Sequence, residues 1–157
     1  MLLRLSYLWV FAIAVLLFLA ALYFQFVLHL EPCPLCILQR IALAALGLAA
    51  LAAAVHGRWN RFYATLVLVA ALAGAALAGR HVWLQNLPPG QVPECGPGLG
   101  YMMQNFPLGD ALQMVLSGSG ECAEAHLFLG LPIPGWTLLW FLIFTAFALT
   151  AFFARRR

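Results

Sequence analysis

The sequence predicts an all-α membrane protein in which one integral domain, residues 1–157, folds as an antiparallel four-helix transmembrane bundle. Three observations carry that expectation. Hydrophobic residues make up 65% of the chain and charged residues 8%, where soluble domains average roughly 45–50% and about 25%. The apolar residues fall into four nearly charge-free runs, and about 20 such residues cross the roughly 30 Å hydrocarbon core of a bilayer. Arginines gather on one side of these runs and acids on the other. A globule this small cannot hide so much apolar side chain from water. The composition therefore argues against disorder, a coiled coil, collagen and a water-soluble enzyme.

The first helix is expected at about 5–28, inside the uncharged stretch from Leu5 to Leu30. That stretch exceeds the roughly 7–15 apolar residues of a signal peptide, and no clear small-x-small cleavage site follows, so it reads as a retained span. The second, about 35–55, builds on the run Ile41–Val55 and takes Arg40 into its first turns. The third, about 62–85, extends the run Phe62–Gly79 past Arg80, and the fourth covers about 134–154. The connections are then about 29–34, a short turn from His56 to Arg61, and a long loop at about 86–133. Short first and second connections make neighbouring helices antiparallel. Alanine and glycine along 42–54 and 70–79 predict close backbone approach between helices two and three. Helices one and four, rich in Leu, Phe and Trp, suit lipid contact, and Trp9, Trp59, Trp83 and Trp136 lie where interfacial anchors belong.

All eight basic residues are arginine, against five acids. Arg4, Arg58, Arg61, Arg155, Arg156 and Arg157 share one side, whereas Glu31, Glu94, Asp110, Glu121 and Glu124 share the other. The positive-inside rule puts both termini in the cytoplasm and the long loop outside. The arginines form no stripe with polar and aromatic neighbours, so no nucleic acid is expected as a partner. In the long loop, Pro88, Pro89, Pro93 and Pro97 alternate with Gly90, Gly96, Gly98 and Gly100, which disfavours regular structure. Further on, Asp110 and Gln113 read as an N-cap with its capping box. Leu108, Leu112, Val115 and Leu116 share a face, which predicts a short helix on the membrane surface.

The chemistry resides in four cysteines, all on the outer side. Cys33-Pro34-Leu35-Cys36 opens the second helix. Free N–H groups and the dipole of a helix start favour a thiolate, the form that attacks or leaves in disulfide exchange. Arg40, one turn beyond Cys36, adds a fixed positive charge on the same face. A redox pair, a structural disulfide and half of a zinc site all fit a CxxC. A metal needs more ligands, and the chain has no second CxxC or HxxxH, so none is expected. Cys95 and Cys122 could brace the long loop, a closure worth about 3 kcal/mol. The pliant sequences beside them, Gly-Pro-Gly-Leu-Gly and Ser-Gly-Ser-Gly, equally suit sulfurs that change partners.

With the four-span layout, three segments resemble the disulfide bond formation protein B (DsbB) family over nearly the whole chain. They are Glu-Pro-Cys-Pro-Leu-Cys-Ile-Leu-Gln-Arg at 31–40, Arg-His-Val-Trp-Leu-Gln at 80–85 and Gly-Glu-Cys-Ala-Glu at 120–124. The vitamin K epoxide reductase family also has a membrane bundle and loop cysteines, but its loop pair precedes its CxxC. Here the CxxC comes first.

The resemblance implies a quinone-dependent thiol oxidoreductase of the bacterial inner membrane, multi-pass and monomeric, with its cysteines on the periplasmic side. Its partner would be a soluble DsbA-like thioredoxin-fold oxidase, and its cofactor ubiquinone or menaquinone. DsbA itself stands near about −120 mV, so its reoxidation needs a strong acceptor. Cys33–Cys36 and Cys95–Cys122 are then the redox disulfides. The partner's thiolate attacks Cys95, the released Cys122 attacks Cys33, and Cys36 delivers electrons to the quinone. Arg40, His81, Gln85 and Gln25 are the implied quinone-binding residues. Arg80 reads as a headgroup anchor, Pro34 stiffens the CxxC, and His29, His56 and His126 receive no role. Two other readings remain: a non-catalytic membrane adaptor braced by two disulfides, and a specialised DsbB paralogue with one dedicated substrate.

Overall fold

A computed structural model describes residues 2–88, 91, 101, 104–117, 120–123 and 127–154. The expectations for Cys95, Glu94, Glu124, His126, the three terminal arginines and most of the proline- and glycine-rich stretch lie outside these residues, as do those for the side chains of Leu108 and Leu112. Four long helices dominate: α1 (Leu2–Phe26), α2 (Pro34–His56), α3 (Asn60–Gln85) and α5 (Ile133–Phe153). Each is long and apolar enough to cross a membrane, as a multi-pass protein requires. Between α3 and α5 lie a short helix α4 (Leu108–Ser117), a 3₁₀ turn (Gly120–Ala123) and a two-stranded antiparallel hairpin, β1 (Leu127–Phe128) and β2 (Leu131–Pro132).

The helices stop for local reasons. Gly57 ends α2 with φ of +59°, the left-handed conformation that glycine adopts without a Cβ clash, and its N–H donates to Ala53 O at 3.1 Å. Pro134 lies in the first turn of α5, where its missing N–H has no helical partner to lose. Helix α3 begins at Asn60, three residues after Gly57, so α2 and α3 run antiparallel.

Helix α3 packs against both α2 and α5, and α1 packs against α2. Small residues set the spacing. Ala64, Ala71 and Ala78 of α3 and Ala50 of α2 are fully buried. A Cβ on Gly74 would lie 2.2 Å from the Phe141 ring, and one on Gly47 would meet the Ala14 methyl at 3.3 Å. With no water to expel between helices in lipid, such close contact supplies the cohesion. The outward faces carry large apolar residues, including Leu16, Leu48, Val69 and Leu142.

One end of the bundle is tied by polar bonds. Tyr7 Oη donates to Asn60 Oδ1 at 2.9 Å, and Asn60 Nδ2 donates to Ala151 O at 2.6 Å, linking α1, α3 and α5. At the opposite end gather the C-terminus of α1, the CxxC start of α2, the end of α3 and the start of α5. Helix α4 lies against that end through buried Val115. It begins at Leu108, directly after Pro107, so Asp110 falls in its first turn instead of forming the expected cap. A carboxylate there still meets the positive end of the helix dipole.

Candidate active site

Cys33 is the N-cap of α2, with extended backbone (φ −64°, ψ 161°), and Pro34 occupies the first turn. Proline presets the helical φ and has no N–H to leave unpaired. The cap itself is sulfur: Cys33 Sγ accepts the Cys36 backbone N–H at 3.3 Å. This turn brings Cys33 Sγ and Cys36 Sγ to 2.9 Å, a thiol–sulfur hydrogen bond. Cys33 is buried and Cys36 partly so, which leaves Cys36 as the sulfur on the open side.

His81 reaches the pair from α3. Its Nε2 lies 3.9 Å from Cys33 Sγ and its Nδ1 3.9 Å from Cys36 Sγ. The Nδ1 also stands 3.2 Å from Gln39 Nε2. An amide nitrogen can only donate, so Nδ1 accepts and the imidazole proton sits on Nε2, facing Cys33. Cys122 enters from the 3₁₀ turn and is fully buried among Cys33, Leu35, Leu84 and Val115. Its sulfur, that of Cys33 and a ring nitrogen of His81 all lie within 4.8 Å of one another.

Beside the sulfurs opens a cavity of about 350 Å³. Its walls are mostly apolar, with Phe24, Phe128, Trp136 and Phe141 among them; Glu31, Cys33, Cys36, Gln39, Arg40, His81, Gln85 and Thr137 supply its polar groups. Arg40 is held from behind: Nη1 donates to Gln25 Oε1, and Nη2 to Ala21 O at 2.9 Å. Gln25 therefore departs from its expected place. It is not among the cavity's lining residues, and its amide instead fixes the guanidinium that is.

Two other expectations change. Arg80 donates from Nε to Leu116 O at 3.3 Å and from Nη2 to Ser117 O at 3.1 Å, and its guanidinium stacks over Trp83. It thus caps the last carbonyls of α4 and docks that helix on the bundle, where a headgroup anchor was expected. Trp136 is not simply an interfacial anchor, because it lines the cavity and its Nε1 donates to Phe128 O at 2.8 Å, fastening the hairpin over the opening.

The CxxC at the start of α2 thus has a third cysteine packed against it and lies beside an apolar cavity in a four-span bundle. The family model described as "Disulfide bond formation protein DsbB" matches residues 3–151. The chain belongs to the DsbB family. Curated members named disulfide bond formation protein B are similar over most of the chain. The one from Methylococcus capsulatus is 58% identical over 134 residues, covering 83% of this chain and 82% of its own. Those from Nitrosococcus oceani and Hahella chejuensis are 55% identical over 149 residues and 57% over 130. They cover 88% and 80% of this chain and 87% and 79% of their own lengths.

Within this DsbB-family chain, the structure joins Cys33, Cys36, Cys122, Arg40, His81 and Gln85 at one end of the bundle. Sequence reading missed Gln39. It lies three residues after Cys36, hence on the same helical face, and is buried. A polar residue buried in an apolar helix was the available signal, obscured by the arginine next to it.

Proposed function

We propose that this protein reoxidises a reduced DsbA-like thioredoxin-fold oxidase in the periplasm and passes the electrons to a membrane quinone. The observation that carries this reading is the packing of Cys122 onto Cys33, with Cys33 and Cys36 both lining the cavity. A relay needs sulfurs that can exchange partners without travelling far, and these lie in contact or nearly so. Family membership supports the reading, since a DsbA–DsbB–quinone chain keeps the bacterial periplasm oxidising.

The cavity suits the acceptor. A quinone head is flat, apolar at its faces and polar at two carbonyls, and the aromatic walls with Arg40, His81 and Gln85 present matching surfaces. A bound quinone would take up two electrons and two protons. Arg40, braced by Gln25 and Ala21, is placed to donate a hydrogen bond to a carbonyl oxygen. His81 carries a proton on Nε2 toward the sulfurs and contributes to the cavity wall.

The chain's own steps follow the sulfur order. Each partner dithiol loses two electrons. Its thiolate attacks Cys95 of a Cys95–Cys122 disulfide and forms a mixed disulfide, releasing Cys122 as thiolate. Cys122 attacks Cys33 of the Cys33–Cys36 disulfide, forming a Cys122–Cys33 bond and leaving the Cys36 thiolate beside the cavity. The partner's second thiolate breaks the mixed disulfide, and the freed Cys95 thiolate attacks Cys122 to restore the loop disulfide. Cys33 and Cys36 then hold the electron pair, which leaves to the acceptor as their disulfide re-forms.

The test is quinone-dependent oxidation of a reduced periplasmic thioredoxin-fold oxidase by the purified chain. Turnover is expected to vanish in Cys33→Ser and in Cys36→Ser while the bundle still inserts; full activity in either excludes the relay. In Cys122→Ala, Cys95 is left as a thiol, and with the oxidised partner its thiolate is expected to attack the partner's disulfide and give a Cys95–partner mixed disulfide, captured by acid quench. Trapping spread evenly over all cysteines would reverse the order given. The adaptor reading predicts the opposite pattern, indifference to quinone and loss of fold on removal of a cysteine.

A further inference from the structure

Sequence spacing offered no metal-ligand set, yet the fold assembles one from three distant segments. Cys33 of α2, His81 of α3 and Cys122 of the 3₁₀ turn bring two sulfurs and an imidazole nitrogen within 4.8 Å of one another. All three residues are buried, at 5%, 3% and 0% exposure. A fourth donor stands beside them: Cys36 Sγ is 2.9 Å from Cys33 Sγ and 3.9 Å from His81 Nδ1.

Zinc is the ion this donor set suits. Tetrahedral Zn²⁺ binds thiolate sulfur at about 2.3 Å and imidazole nitrogen at about 2.0–2.1 Å. Those lengths require ligand atoms roughly 3.5–3.8 Å apart. The Cys33 Sγ–His81 Nε2 separation of 3.9 Å already approaches this spacing. The Cys33–Cys36 contact must open by under about 1 Å, which side-chain rotation supplies. Soft thiolate donors also select zinc over magnesium or calcium. The outer partner is present as well. Gln39 lies on His81 Nδ1, and its amide, turned end for end, accepts a proton there while Nε2 binds the ion.

We propose that the reduced centre is a zinc site, in which Cys33, Cys122 and His81 hold Zn²⁺ and Cys36 closes the fourth position. Binding replaces the thiol protons, which pass to solvent, and no electrons move. A disulfide offers no thiolate, so oxidation of either pair dismantles the site. Zinc thereby competes with the oxidant for the same sulfurs and arrests a reduced protein waiting for its acceptor. The site itself rests only on the positions of these side chains; the arrest rests on the relay proposed above.

The test titrates Zn²⁺ into the full-length chain in detergent, reduced and freed of reductant, against a chromophoric chelator, with Co²⁺ as the spectroscopic probe. One saturable equivalent is expected in the reduced chain and none in the oxidised chain. Co²⁺ is expected to show the intense ligand-field and sulfur charge-transfer absorption of a tetrahedral thiolate site. His81→Ala and Cys122→Ala should each weaken binding at least about tenfold, and Gln39→Leu by about tenfold through the outer contact. In the unaltered chain, one equivalent of Zn²⁺ should protect Cys33 and Cys122 from alkylation, a readout that does not depend on how any variant folds. Equal affinity in oxidised and reduced chains, wild-type affinity in both His81→Ala and Cys122→Ala, or alkylation unchanged by zinc would each overturn the site. None of these measurements uses the partner oxidase or quinone, so failure of the relay leaves them readable.

Discussion

His81 shows how one hydrogen bond can decide what a side chain offers its neighbours. With its amide nitrogen toward Nδ1, Gln39 leaves the ring proton on the nitrogen that faces Cys33. In Gln39→Glu the carboxylate instead accepts from Nδ1–H, which turns an acceptor nitrogen toward the sulfur. Thiol oxidation is expected to slow by roughly tenfold or more, and ¹⁵N NMR of the ring should report the exchanged tautomer. Arg40→Lys removes the planar fork that bonds Gln25 and Ala21 together. The expected result is a quinone KM raised on the order of tenfold with a smaller change in kcat, and Gln25→Leu should shift KM the same way by less. At this scale the sulfur pair was legible, because CxxC beside a helix start is local. Cys122 against Cys33 was not, since it depends on how a loop about 90 residues later folds back. Gln39 escaped because its partner lies on another helix.

Glycine 74 has the same standing among elements, since it sets the distance between α3 and α5. Its missing Cβ is the space taken by the Phe141 ring. Gly74→Ala is therefore expected to cost about 1–3 kcal/mol by overpacking, seen as a lower thermal midpoint in detergent, with Phe141→Leu recovering part of it. Sequence composition already pointed to close helix contact here, through the alanine and glycine texture. It could not say that α5, expected mainly to face lipid, would be the helix pressed most closely on α3, because texture on one helix does not name its partner. The short helix α4 was legible from its apolar spacing. Its start was misplaced by three residues, since Asp110 resembles a cap and Pro107 is the actual boundary.

Taken whole, the bundle has one tied end and one reactive end. Asn60→Leu removes the bonds to Tyr7 and Ala151 that link three helices. A loss of about 1–2 kcal/mol is expected, again by thermal unfolding in detergent, with the sulfur geometry at the far end unchanged. The four spans and their alternation could be read from hydropathy and connection length alone. The proposed orientation has its own check. In a cysteine-free background, a single reporter at Ser117 should react with an impermeant thiol reagent on spheroplasts, and one at Arg58 only after lysis. Reversal of that pattern would put the reactive end in the cytosol.

The capping bond at Cys33 ties electron transfer to helix geometry. In the proposed relay, the atom that gains and loses a covalent partner in each cycle also secures the first turn of α2 by accepting the Cys36 N–H. Whichever oxidation state holds that proton more tightly is favoured by the strength difference, and by linkage about 1.4 kcal/mol of such preference equals about 30 mV in a two-electron couple. The midpoint potential of this chain is thus partly a property of its backbone, adjustable by changes that never touch a sulfur.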